Sequence, residues 1–231
     1  MEAKNWKDIW RSKTTENIHS VTLKNIIELD GFEGYGEIEV EEWIKYIDSI
    51  TEKLNISDAD SIFEIGCGAG AFLFPFYKNK HLVGGIDYSS KLIEAVGKFM
   101  PKGFWLEAEA SEPIDRTYDV VVSNSVFIYF SSPDYAQSVV NNMISMCNKS
   151  IAILDVLDLE KKEAYLNYKR GLIGGNYDQL YPKSLDQQFY SKDWFSKLFE
   201  NTGFTMWTED QSINGYRNSP YRFNVYAKKA I

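Results

Sequence analysis

Cysteine is scarce in this chain, with only Cys67 and Cys147 among 231 residues. Two thiols make neither a disulfide framework nor a zinc spacing, so a reducing, cytoplasmic setting is the expectation. Histidine is as rare, with His19 and His81 alone. Long apolar runs are missing: no stretch approaches the roughly 20 apolar residues that a membrane span needs, and the opening MEAKNWKDIW has no apolar signal core. Dense clusters of Lys and Arg are absent too. With a formal net charge of -8 the chain is not expected to bind nucleic acid, because neutralising phosphates takes a basic surface. There is no internal repeat, low-complexity tract or visible second domain.

What is present suffices for one globular domain over 1–231, since 44% of the residues are hydrophobic. From about residue 60 strand-like and helix-like patterns alternate. SIFEI (61–65), HLVGGID (81–87), GFWLEA (103–108), YDVVVSNS (118–125) and SIAILDV (150–156) read as strands. Between them AFLFPFYK (71–78), SSKLIEAVGKF (89–99) and SSPDYAQSVVNNMISMC (131–147) read as helices, with Ser89 or Ser90 and then Ser132 as N-caps. After a helix capped by Ser191, FTMWTED and YRFNVYAKK form a terminal strand pair. This order predicts an α/β fold, a mostly parallel sheet with helices on both faces. Residues 1–58 read as a helical N-terminal cap or lid. Residues 157–190 read as an insertion rich in tyrosine, with Tyr165, Tyr168, Tyr177, Tyr181 and Tyr190.

The first strand runs into Glu64-Ile65-Gly66-Cys67-Gly68-Ala69-Gly70. Glycines between a strand and a helix let a ligand approach the backbone and meet its N–H groups. By itself the pattern also fits a plain strand-to-helix turn, or the relaxed dinucleotide fingerprint through Gly66, Gly68 and Ala71. Asp87 ends the next strand about 20 residues later, where a carboxylate accepts the two hydroxyls of an adenosine ribose. These residues, with Glu109-Ala110 after the third strand and Asp119-Val120-Val121 in the fourth, resemble the successive motifs of the class I S-adenosylmethionine-dependent methyltransferases.

The resemblance covers residues 60–156 and implies a Rossmann-like seven-stranded sheet whose last strand is antiparallel. It also implies S-adenosylmethionine as cofactor and S-adenosylhomocysteine as product. In that pattern Gly66, Cys67, Gly68 and Gly70 line the methionine and ribose, Asp87 holds the ribose and Tyr88 lies beside the adenine. Glu109 and Ala110 meet the adenine amino edge, Glu64 orients the loop or reaches the cofactor's amino group, and Asn124 stands at the cofactor. An NAD(P)-dependent oxidoreductase is the rival; it lacks support because no second mononucleotide-binding half follows residue 156. A non-catalytic adenosine-cofactor-binding module is a further alternative.

Residues 123–130 carry neither Asn-Pro-Pro-Tyr nor Asp-Pro-Pro-Tyr, so nucleic-acid bases and protein amides are not the expected acceptors. Clustered carboxylates for a metal are also missing, and no metal is expected. That leaves a small molecule, expected from a bacterial secondary-metabolite or cell-surface saccharide pathway, methylated on oxygen or nitrogen. Trp10, Tyr35, Tyr168 and Tyr177 are its candidate contacts, through ring packing or cation–π attraction. His19, carried by the cap, and Tyr129 are the candidate catalytic groups, the imidazole as a base titrating near neutrality. A monomer or homodimer is expected.

Overall fold

The computed structural model describes residues 5–13, 21–32, 38–173 and 177–230. Within them lies one sheet built from β1 (Ile62–Ile65), β2 (Val83–Asp87), β3 (Phe104–Glu107), β4 (Tyr118–Asn124), β5 (Cys147–Leu157), β6 (Phe204–Asp210) and β7 (Arg222–Lys229). Their order across the sheet is β3-β2-β1-β4-β5-β7-β6. The pairs from β3 to β5 are parallel, whereas β7 runs antiparallel to both β5 and β6. This is the Rossmann-like, seven-stranded sheet with a reversed last strand that the motifs imply.

Register decides which side chains meet. Glu64 stands level with Gly85 and Val122, Asp87 with Glu107, Asn124 with Leu154, and Leu157 with Arg222. Because β7 is reversed, its first residue, Arg222, lies at the edge where β1, β2, β4 and β5 end. Ligands of open α/β sheets bind at that edge. The β5–β7 register shifts between Ile153 and Val156, and Asp155 there adopts φ 62°.

The helices are α1 (Trp6–Arg11), α2 (Leu23–Ile27), α3 (Val40–Leu54), α4 (Phe74–Lys78), α5 (Ser90–Phe99), α6 (Pro133–Met146), α7 (Lys162–Ile173), α8 (Tyr177–Leu180) and α9 (Lys192–Phe199). Apolar side chains cover both faces of the sheet. One core joins α3 and α5 to Ile62, Val120 and Ala152, and the other joins α6 and α9 to Phe63, Val121 and Ile153. Alternate residues of one strand thus supply opposite cores, which is why these strands read as unbroken apolar runs.

Within the N-terminal segment the elements differ. Helix α3 buries Trp43, Tyr46, Ile47, Ile50 and Leu54, the three-and-four spacing of one face, and Trp43 Nε1 donates to the Ala71 carbonyl at 3.0 Å. It is a core helix. Helix α1 has no buried residue.

Several boundaries differ from the sequence expectation. The helix expected over 71–78 starts only at Phe74, since Pro75 has no N–H to donate and is tolerated in a first turn. Strand β5 starts at Cys147, directly from α6. Ser132 and Ser191 cap as expected, accepting from the Tyr135 and Trp194 N–H groups at 3.1 Å. Ser89 occupies the N-cap position of α5 without a capping bond; its hydroxyl donates to the Trp10 carbonyl at 3.3 Å.

Candidate active site

Where β1 ends, the Gly66 and Cys67 N–H groups both donate to the Ile86 carbonyl, at 2.8 and 2.9 Å, which fastens the loop to β2. Gly66, Gly68 and Gly70 have φ of 72°, 52° and 93°, where a side chain is strained. Asp87 bridges loop and helix: one carboxylate oxygen accepts from the Gly68 N–H at 3.1 Å and the other from the Ser89 N–H at 2.8 Å. Burial pushes the Asp87 carboxyl up to about 6, against the pull of those two N–H groups.

A second acid enters the loop from the N-terminal segment. Asp30 accepts from the Ala69 N–H at 2.6 Å and the Ala71 N–H at 2.9 Å, and a Cβ on Gly68 would fall 2.3 Å from its Oδ1. Gly68 therefore makes room for Asp30 rather than for a ligand atom. Burial pushes Asp30 up to about 7, opposed by the two N–H groups, with the charge of Asp87 adding to the rise. Glu64 is 3% exposed and its Oε2 has no partner. Burial, then Asp30 and Asp87, push its carboxyl well above the ordinary range.

One cavity of about 810 Å3 collects these groups. Its wall includes Glu64, Gly66, Cys67, Gly68, Asp87 and Tyr88, together with Glu109, Ala110 and Asn124. Gly70 is not part of that wall; a Cβ there would meet Met100 Cε at 2.3 Å, so it serves packing against α5. At the far side of β2, Glu109 pairs with Lys7 at 2.6 Å and accepts from the Tyr135 hydroxyl at 3.1 Å. Burial raises its carboxyl, but Lys7 and Tyr135 outweigh that and hold it below its usual value. Lys7 and Arg11 each stand 5.7 Å from the Tyr88 ring centre.

These groups fit S-adenosylmethionine. The acceptor atoms Glu64 Oε2 and Asn124 Oδ1 are buried without partners, and such atoms are costly unless a ligand satisfies them. Asp87 would hold the ribose hydroxyls and Glu64 the amino group, while Tyr88, Glu109 and Ala110 border the adenine. Among the described residues no three His, Cys, Asp or Glu side chains group to hold a metal ion.

Beyond Asn124 the cavity continues under α1. Trp6 and Trp10 pack on Tyr129 with ring centres 4.7 and 5.5 Å apart. Of the candidate acceptor contacts Trp10 lines the cavity, whereas Tyr168 and Tyr177 do not. Tyr168 stacks on Tyr221 at 5.2 Å and Tyr177 on Tyr181 at 5.2 Å. Tyr165 and Tyr181 supply the insertion's rings instead, beside Tyr216. His19 and Tyr35 lie outside the described residues. Sequence reasoning missed Asp30, Lys169 and Arg222, all in the cavity wall. For Lys169 a signal existed, since Tyr165 and Lys169 are one helical turn apart.

Sheet order, glycine loop and the acid at the end of β2 define a class I S-adenosylmethionine-dependent methyltransferase. Residues 63–150 match the family model described as "Methyltransferase domain". The dinucleotide alternative gives way, because an antiparallel pair occupies the place of a second nucleotide-binding half. Among curated proteins the chain is 24% identical over 164 residues to an enniatin synthase of Fusarium equiseti, covering 63% of this chain and 5% of that protein. It is 28% identical over 129 residues to a nonribosomal peptide synthetase of Emericella nidulans, covering 51% and 5%. The chain thus spans about a twentieth of the length of these relatives.

Among solved structures, magnesium protoporphyrin IX methyltransferase of Synechocystis with bound S-adenosylhomocysteine aligns with a TM-score of 0.62 at 16% identity, over 90% of this chain and 98% of that one. The plantazolicin methyltransferase BpumL gives 0.60 at 15% identity over 83% and 86%. The N-methyltransferase NodS of Bradyrhizobium japonicum gives 0.59 at 13% over 84% and 99%. At such identities the likeness shows the fold.

Proposed function

We propose that this chain transfers the methyl group of S-adenosylmethionine to an oxygen or nitrogen of a small-molecule acceptor in a secondary-metabolite pathway. The observation that carries this reading is the continuity of the cavity, from the acid-lined glycine loop past Tyr129 into an aromatic chamber under α1. Support for the pathway comes from the enniatin synthase and the nonribosomal peptide synthetase among the relatives.

The bound cofactor supplies a methyl group on a sulfonium, and displacement from it needs mainly alignment when the acceptor is already nucleophilic. Tyr129 orients the acceptor. Burial pushes its phenol well above the ordinary range, so at neutral pH it donates a hydrogen bond and takes up no proton. His19 remains the candidate base for an acceptor that must lose a proton.

Titration with S-adenosylhomocysteine, followed by mass spectrometry of amines, phenols and hydroxy acids incubated with enzyme and S-adenosylmethionine, tests the reading. A methylated acceptor, formed with stoichiometric S-adenosylhomocysteine, is expected. Tight cofactor binding with no acceptor methylated in a broad screen would favour a binding module.

A further inference from the structure

We propose that the chamber beyond Tyr129 is an anion-binding subsite, in which Lys169 and Arg222 receive a carboxylate or phosphate group of the acceptor. The proposal rests on the methyl-transfer reading and names the substrate class for the same cavity. Lys169 comes from α7 and Arg222 opens β7; both are 3% exposed and both line the cavity. Two buried cations in one wall give this part of the cavity a positive lining.

Asp155 is the ion-pair partner of Arg222. Its carboxylate is bonded to Arg222 Nη1 and Ser125 Oγ, and it accepts from the Tyr216 hydroxyl at 3.0 Å and Gln211 Nε2 at 3.3 Å. That carboxylate is saturated. Arg222 Nε, by contrast, is buried with no partner, and a planar fork of guanidinium donors suits a carboxylate or phosphate.

Lys169 lies 5.1 Å from the Tyr181 ring centre and 6.0 Å from that of Tyr165. Burial, then the charge of Arg222, push its ammonium down to about 8. A bound anion relieves both effects, while a cationic acceptor would worsen the second. The alkylammonium contact expected from the tyrosine-rich insertion is therefore disfavoured in this chamber. Asp30, Glu64 and Asp87 stand around the glycine loop, and Lys169 and Arg222 line the same cavity.

The test uses the full chain with S-adenosylhomocysteine, probed calorimetrically and by thermal melting with benzoate, inorganic phosphate and neutral benzamide. Saturable binding of benzoate or phosphate, at least tenfold tighter than benzamide, is expected. Lys169→Met should weaken anion binding tenfold or more and Lys169→Arg less than threefold, with S-adenosylhomocysteine affinity unchanged in both. A benzoate-to-benzamide ratio near one in the parent protein, which needs no variant, overturns the proposal. So does a folded Lys169→Met protein that binds the anions like the parent. Anion binding that depends on Lys169 in a protein that does not bind S-adenosylhomocysteine would keep the subsite and remove the methyl-transfer reading.

Discussion

Asp87 holds two backbone N–H groups, those of Gly68 and Ser89, while lining the cavity. Bonds to a charged acceptor are each worth about 1.5 to 3 kcal/mol, so losing the ribose clamp should cost about a hundredfold or more in affinity. Asp87→Ala is expected to weaken S-adenosylhomocysteine binding by at least that factor in calorimetry; a change under threefold would show the clamp misplaced. Asp30 was not legible, because its partners Ala69 and Ala71 lie 39 and 41 residues away and no local pattern announces such a contact. It makes a pH prediction. Asp30 and Asp87 titrate in the fold at about 7 and 6, both raised from 3.8. Between those values the folded chain binds more protons than the unfolded one, so the stability linked to them is present at low pH and lost as pH rises through 6 and 7. Each fully titrating group contributes a slope of up to about 1.4 kcal/mol per pH unit. Without ligand, the chain should unfold more readily at pH 8 than at pH 6 in urea, and Asp30→Asn should flatten that slope. An equal slope in the variant would show that Asp30 does not carry it.

Helices α1 and α3 both belong to the segment expected as a cap, yet they play different parts. The sequence of α3 carries its own answer in the three-and-four spacing of Trp43, Ile47, Ile50 and Leu54. Helix α1 places Trp6, Lys7 and Trp10 on Tyr129 and Glu109 with nothing of its own buried. Deleting residues 1–13 should therefore leave the melting temperature within a few degrees and weaken cofactor binding. Trp43→Ala, by contrast, should destabilise by about 3 to 5 kcal/mol. Hydrogen exchange in residues 6–12 is expected to slow when S-adenosylhomocysteine is added, and unchanged exchange would argue against a lid role. The strands and the glycine loop were readable because their signals are local in sequence, an unbroken apolar run or glycines on alternate positions. The insertion was not, since its tyrosines become cavity wall or outer packing only through the rotation of α7. On that helix Tyr165 faces Lys169 and the cavity, while Tyr168 turns to Tyr221.

Across the whole molecule, one buried network ties the acceptor chamber to the fold. Asp155 joins β5 to Arg222 of β7, its N–H donates to Asn224 Oδ1 at 2.8 Å, and Gln211 links it onward to the Tyr46 hydroxyl of α3 at 3.2 Å. Three elements, β5, β7 and α3, are thus tied together through Asp155, 1% exposed, and Gln211 of the loop after β6, at the edge where the cavity opens. Asparagine tolerates the positive φ of this position about as well as aspartate, so Asp155→Asn removes the charge and leaves the backbone its conformation. Arg222 then stays buried without its counter-charge, a loss of about 3 to 5 kcal/mol when one partner of a buried pair is removed. For a domain of this size each kcal/mol is worth about 2 to 4 °C, so a fall in melting temperature of about 10 °C is expected. Adding Arg222→Met to Asp155→Asn removes the stranded cation and should recover part of that fall, because the penalty lies in the unpaired charge and not in the lost contact. The double variant should still bind S-adenosylhomocysteine within threefold of the parent, since the glycine loop, Asp30 and Asp87 share no hydrogen bond with the network. If the double variant melts lower than Asp155→Asn alone, Arg222 stabilises the fold through contacts other than its ion pair, and its retention in the core is structural before it is functional.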